Sequence, residues 1–142
     1  MKILVSACLL GRNCKYNGGN NDCEALAKAL EGREVIPVCP EECLGVPRVP
    51  VELVDGVLRD RQGNSVDGPV RGAVDEILES IRGQEILCAV LKSRSPTCGV
   101  RQVYDGSFSG RLVAGSGVLA QALMDAGYRV IDVEDAEAIE KL

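Results

Sequence analysis

The sequence predicts an α/β protein: a single three-layer domain over residues 1–142, built on a mainly parallel, Rossmann-like four-stranded sheet with a small β-hairpin insertion. Three observations carry this. Apolar runs without helical period at 2–7, 34–38, 85–91 and 128–133 read as buried strands. Segments whose apolar residues recur at three and four lie between them, and this alternation selects a parallel sheet with helical crossovers. Right-handed crossovers then give the strand order 2-1-3-4.

The elements follow in order. Lys2 to Ala7 is β-branched and apolar, and Gly11 to Asn20 is a polar Gly- and Asn-rich loop. Asn21 or Asp22 caps a helix that carries Leu26, Ala27 and Leu30 on one face, with Gly32 just past its end. Glu34 to Val38 is the second strand, and Cys39 to Pro50 is irregular by composition. Val51 to Arg61 reads as a hairpin on Asp55-Gly56, with a further turn at Gln62-Gly63-Asn64. Pro69 suits the first position of a helix through Arg82, in which Val70, Ala73, Val74, Ile77, Leu78 and Ile81 share a face. Glu85 to Leu91 is the third strand, followed by the loop Lys92 to Gly99 and a turn-rich stretch from Tyr104 to Gly110. Gly115-Ser116-Gly117 opens a helix, Tyr128 to Val133 is the fourth strand, and Ala136 to Leu142 makes a last helical turn or two.

Two residue counts limit the chemistry: seven cysteines and no histidine in 142 residues. Without His there is no Ser-His-Asp triad, Cys-His pair or imidazole base, so acid–base work falls to carboxylates, Lys, Tyr, Cys or water. Trp is absent and three Tyr and one Phe are the only aromatics, too few for stacking along a single strand of nucleic acid. The net charge of −5 also speaks against a phosphate-backbone binder. The cysteine share lies below the roughly 8–10% of a disulfide scaffold, and the number is odd. The apolar start ends by Ser6, too short for a signal peptide or a membrane span, so a cytoplasmic protein with thiols is expected, with no membrane partner.

Placed on the predicted fold, Cys8, Cys39 and Cys98 each follow the carboxyl end of a strand, the edge where open α/β sheets bind ligands. Cys23, on a helix, and Cys88, within a strand, read as core. Cys14 and Cys43 are extra ligands, resolving thiols or neither. A zinc site is weakly indicated because C-x-x-C knuckles are missing, while thiolates also suit iron–sulfur clusters, where three cysteines leave one iron open.

The segments Ser6-Ala7-Cys8-Leu9-Leu10-Gly11, Cys14-Lys15-Tyr16-Asn17-Gly18, Val38-Cys39-Pro40-Glu41 and Leu91 to Gly99 resemble the thiouracil desulfidase family, long catalogued as a domain of unknown function. Val70-Arg71-Gly72-Ala73, Tyr104 to Arg111 and Gly115-Ser116-Gly117-Val118 extend the likeness over nearly the whole chain. The resemblance implies non-redox removal of sulfur from a thiolated pyrimidine by a 4Fe-4S cluster with three cysteine ligands, Cys8, Cys39 and Cys98, and one open iron. It implies Glu41 as general base and Ser95 as the hydroxyl that binds substrate or relays a proton. The partner is then a small thiolated base or nucleotide, with hydrosulfide as the other product and no nucleic-acid polymer involved. Gly115-Ser116-Gly117 reads either as a phosphate-binding helix start, which favours a nucleotide, or as close packing. Arg48, Lys92, Arg94 and Arg101 are scattered surface charges or a basic rim. The competing class is a non-enzymatic carrier of zinc, a persulfide or a cluster, which has no need of Glu41.

Overall fold

The computed structural model describes residues 1–45 and 48–142. In chain order the elements are β1 (Lys2–Ser6), α1 (Glu24–Ala29), β2 (Glu34–Val38), β3 (Val51–Val54), β4 (Val57–Asp60), α2 (Asp67–Ile81), β5 (Ile86–Leu91), β6 (Gln102–Tyr104), β7 (Leu112–Ala114), α3 (Val118–Asp125), β8 (Val130–Asp132) and α4 (Ala136–Glu140). Strands β2, β1, β5 and β8 form one sheet in that order, every pair parallel, which is the predicted order 2-1-3-4. No helix among the described residues is long and apolar enough to cross a membrane.

The strands are apolar on both sides because helices cover both faces. Side chains alternate across a strand. Leu4, Ala89 and Leu91 pack against Val70, Val74 and Ile81 of α2 and Leu119 and Leu123 of α3. Ile3, Val5, Cys88, Val90 and Ile131 pack against Leu26 and Leu30 from the α1 end and Ile139 of α4. Full burial of each Leu, Ile or Val contributes about 1.5–3 kcal/mol, so the two slabs fix the sheet and with it the positions of its strand ends. Cys88, fully buried among these aliphatics, acts as a small hydrophobe.

The predicted hairpin is β3–β4, and both turn residues have positive φ, Asp55 at 51° and Gly56 at 79°, as a two-residue type I′ turn requires. A second hairpin, β6–β7, lies where only a turn-rich stretch is expected, because its strands have three residues each and show too little alternation. A short 3-10 turn at Pro40–Leu44 organises part of the segment expected to be irregular, and residues 46–47 of that segment lie outside the described residues.

Two helix starts differ from expectation. Neither Asn21 nor Asp22 caps α1: the residue before it is Cys23, extended and without a side-chain cap, because the Asn21 amide donates to the Cys8 sulfur instead at 3.4 Å. Cys23 is half-buried against the core at that position, and Ala27 faces solvent, leaving Leu26 and Leu30 as the apolar anchors. Helix α2 begins at Asp67, two residues before Pro69, and the proline's missing N–H still falls in the first turn, where no helical bond is lost.

Asp67 draws the helix back. Its Oδ1 accepts the Leu58 N–H at 3.0 Å and its Oδ2 accepts Arg71 Nε at 2.6 Å, tying β4 to α2. Burial raises its pKa, but the Leu58 N–H and the Arg71 guanidinium outweigh that and hold the carboxyl below the ordinary aspartate value of 3.8. A carboxyl depressed in the folded state contributes stability that is complete above the unfolded value and lost as pH falls through the folded one. Asp67→Asn is therefore expected to cost about 1 kcal/mol at pH 7. Urea midpoints for the two proteins are expected to converge as the pH falls below 3.8 and Asp67 protonates. A gap that persists in acid would show that the charge is not its source.

Candidate active site

Each candidate residue stands just beyond a strand end, for a local reason. Cys8 lies in the 3-10 turn Ala7–Leu10 directly after β1, closed by Gly11 at φ 89°. Cys39 continues β2 in extended conformation, φ −148° and ψ 95°, and Pro40 then starts the turn that carries Glu41. Cys98 and Ser95 belong to the loop after β5. Between β1 and β5 the chain changes the direction in which it adds strands, the switch point where α/β sheets open a crevice. Cys8, Cys39, Cys98, Glu41 and Ser95 all line one cavity of about 570 Å³ at this place. That volume lies within the roughly 300–1,000 Å³ of small-molecule sites.

The loop bearing Cys98 is built by its own hydroxyl and by α3. Ser95 Oγ accepts the backbone N–H of Thr97 at 3.2 Å and of Cys98 at 3.1 Å. The first N–H groups of α3 point at the same loop: Val118 donates to the Pro96 carbonyl at 3.1 Å and Leu119 to that of Thr97 at 2.8 Å. A Cβ at Gly117 would stand 2.4 Å from the Thr97 carbonyl carbon, so only glycine lets helix and loop meet. This corrects the phosphate reading of Gly115-Ser116-Gly117: those donors already have backbone partners, and close packing accounts for the glycine.

Burial pushes the Cys39 thiol up to about 12, with Cys14 adding to the rise and Arg48 opposing it. Burial likewise pushes the Cys98 thiol up to about 12, against the hydroxyls of Ser6 and Thr97. A coordinated metal centre reverses that preference, because it supplies the positive charge that holds a ligating thiolate. Among the described residues, no three side chains of His, Cys, Asp or Glu converge closely enough to hold a single metal ion.

The other cysteines separate cleanly. Cys14 is buried and lines the cavity, and its carbonyl accepts Arg48 Nη2 at 2.9 Å. Cys43 is exposed, lies outside the cavity and gives its thiol proton to the Pro40 carbonyl at 3.2 Å. All seven cysteines are unpaired.

Of the four cations read as surface charges or a basic rim, three line the cavity, and Thr97, the aromatic rings and Glu52 are further contributors that the sequence did not single out. Arg48 is no surface charge: its side chain is 9% exposed, its Nε stands 4.0 Å from Glu41 Oε1, and that Nε has no hydrogen-bond partner among the described residues. Lys92 and Arg94 share the cavity wall, whereas Arg101 pairs with Asp135 at 3.3 Å away from it. Thr97 Oγ1 donates to Glu41 Oε2 at 2.9 Å and lies 3.0 Å from Ser95 Oγ. Tyr16, Tyr104 and Phe108 line the cavity, so an aromatic-poor chain concentrates its rings there. Glu52 holds the Phe108 turn to the first hairpin by accepting the N–H of Gly106 at 3.0 Å and of Phe108 at 3.2 Å. The scarcity of aromatics was the one sequence signal for these rings, and nothing local marked Arg48 as buried beside Glu41.

Residues 3–135 match the 2-thiouracil desulfurase family. Among curated proteins, YbbK of Bacillus subtilis (strain 168), described as uncharacterized, is 34% identical, the alignment covering 96% of this chain and 99% of that protein. Among solved structures, one described as the 4Fe-4S-dependent thiouracil desulfidase TudS superposes with a TM-score of 0.88 at 32% identity, over 97% of this chain and 94% of the other. Its likeness extends over the α/β sheet and its helical layers. The family match takes in every loop that lines the cavity, and the chain accordingly belongs to the 2-thiouracil desulfurase family, an enzyme of the desulfurase type.

Proposed function

We propose that this enzyme removes sulfur from a small thiolated pyrimidine, a free base such as 2-thiouracil or a 4-thiouridine nucleotide, by means of a 4Fe-4S cluster held by Cys8, Cys39 and Cys98. The observation that carries the reading is the meeting of three thiols from three strand ends with the Glu41 carboxylate on a single cavity.

The residues present fit the cluster. The donor set is all sulfur, as iron–sulfur centres prefer. A cluster spreads its irons apart, so its thiolates need not converge as the ligands of one zinc ion do, in keeping with the dispersed acidic and thiol groups here. Bound by three cysteines, the cluster supplies one iron without a protein ligand, a soft Lewis acid for a thiocarbonyl sulfur.

The rest is done by the chain. Glu41 acts as general base and takes a proton from the water that adds to the thiocarbonyl carbon. Ser95 returns a proton to the departing sulfur, which leaves as hydrosulfide, and the product is the oxo-pyrimidine. Tyr104 and Phe108 offer flat apolar faces to the ring. No electron is transferred, so no dinucleotide site is needed. A site that depends on free thiols suits a reducing compartment, and we place the enzyme in the cytoplasm.

A cluster or zinc carrier would not require a carboxylate hydrogen-bonded beside the thiols, which favours the enzyme. Anaerobic reconstitution with iron and sulfide tests both readings. A brown protein with about four irons per chain that converts 2-thiouracil or 4-thiouridine monophosphate to the oxo product with equimolar sulfide is expected. A colourless protein that takes one zinc and releases no sulfide would overturn the enzyme reading.

A further inference from the structure

We infer that the Thr97 hydroxyl is a proton relay between Glu41 and Ser95, coupling the base that activates water to the acid that releases sulfur. The inference rests on the desulfidase reading and deepens it.

Hydrogen-bond accounting sets the direction of the line. A serine hydroxyl has one proton and two lone pairs. Ser95 Oγ accepts two backbone N–H groups from its own loop, Thr97 N at 3.2 Å and Cys98 N at 3.1 Å. Because the Glu41 carboxylate can only accept and takes the one Thr97 proton, the proton of Ser95 is the one to bridge the 3.0 Å to Thr97 Oγ1. Thr97 also has one proton and two possible acceptors: Glu41 Oε2 at 2.9 Å, and the Cys98 sulfur, farther off at 3.8 Å. The carboxylate oxygen is nearer and the stronger acceptor. At rest the line runs Ser95 O–H to Thr97 O–H to Glu41. Thr97 is 1% exposed, so its hydroxyl exchanges protons with these two side chains rather than with solvent.

Catalysis reverses the line. Water oxygen bonds to the thiocarbonyl carbon, and one water proton passes to Glu41 Oε2. The Thr97 O–H turns to Ser95 Oγ and the Ser95 O–H to the departing sulfur; Glu41 then gives a proton to Thr97 Oγ1, Thr97 gives its own to Ser95 Oγ, and Ser95 gives its own to the sulfur. The carbon–sulfur bond breaks with its electron pair on sulfur, hydrosulfide leaves, and the second water proton goes to solvent as the carbonyl forms. Nothing is oxidised or reduced, and each residue ends in its starting state. Without Thr97 the proton taken by Glu41 has no side chain to carry it to Ser95. Thr97 touches neither substrate nor cluster in this scheme; it acts through its two neighbours.

Three reconstituted variants test this, with turnover expressed per cluster from iron content and visible absorbance. Thr97→Ala and Thr97→Ser lose the same methyl group and differ by the hydroxyl, so packing damage is common to both; Thr97→Val keeps the volume and loses the hydroxyl. Alanine and valine are expected to lower kcat on 2-thiouracil about 10²-fold, in the range for loss of a general acid–base path, with KM and iron content within about threefold of wild type. Serine is expected to keep kcat within about threefold of wild type. Should valine fail to load iron, the alanine–serine pair decides: equal turnover per cluster in the two overturns the relay, as does a KM effect without a kcat effect. A wild-type holoenzyme that releases no sulfide overturns the desulfidase reading itself. Normal wild-type turnover beside an unimpaired alanine variant overturns the relay alone.

Discussion

Replacing Cys8, Cys39 or Cys98 singly with Ser is expected to give folded protein that retains little iron after anaerobic reconstitution and releases no sulfide. A serine oxygen is a hard ligand that stays protonated near neutral pH, so each change removes one of only three protein bonds to the cluster. The fold should survive, because all three stand in loops beyond the strands and serine keeps the shape of each side chain where Cys98 packs with one core and Cys8 against the other. Cys88→Ser is expected to show the opposite signature. Its side chain is fully buried among Ile3, Val90 and Ile131, where a new hydroxyl without a partner costs about 1–3 kcal/mol. Thermal unfolding would shift down while iron per folded chain stays at the wild-type level. Cys23→Ser, at the start of α1, should also keep its iron. Cys14→Ser gives the sharpest comparison, since Cys14 shares the cavity: unchanged iron leaves the set at three, and lost iron would show that Cys14 is a ligand. Full iron loading in any one of the first three variants would remove that cysteine from the set.

Glu41→Gln is expected to lower kcat about 10²–10⁴-fold while iron content and visible absorbance stay at wild-type levels. The amide has the shape of the carboxylate, and its oxygen still accepts the Thr97 hydroxyl, so the loop after β5 keeps its contact with the turn after β2. What it loses is the capacity to take a proton from water. With no histidine in the chain, no imidazole stands in for it. Sulfide release at the wild-type rate from the Gln variant, measured per cluster, would sink the assignment of Glu41 as base.

Much of the fold was legible because its signals are local. The four apolar runs, the period of α2 and the Asp55-Gly56 turn each depend on a few neighbouring residues. The strand order was legible because crossover handedness leaves few alternatives for an alternating chain. The misses lie where local preference met a competing contact. Asn21 is a good cap, but its amide is drawn to the Cys8 sulfur. Pro69 is a good first residue, but Asp67 bonds back to β4 and starts the helix earlier. The β6–β7 strands are too short to leave a pattern of their own.

By itself the sequence determined the class of chemistry: an abundance of thiols, the absence of imidazole, and three cysteines placed after three parallel strands. Those follow from composition and from the rule that parallel strands end on one edge. Only the tertiary structure decided which further groups face the same cavity. Cys14 turned in and Cys43 turned out, although each lies a few residues from a candidate ligand. Arg48 was buried beside Glu41, and the hydroxyls of Ser95 and Thr97 were aligned on that carboxylate across 56 residues of chain. Such contacts join segments far apart in sequence, and they are set by how the loops pack over the sheet edge. No periodicity or spacing in a single chain encodes them.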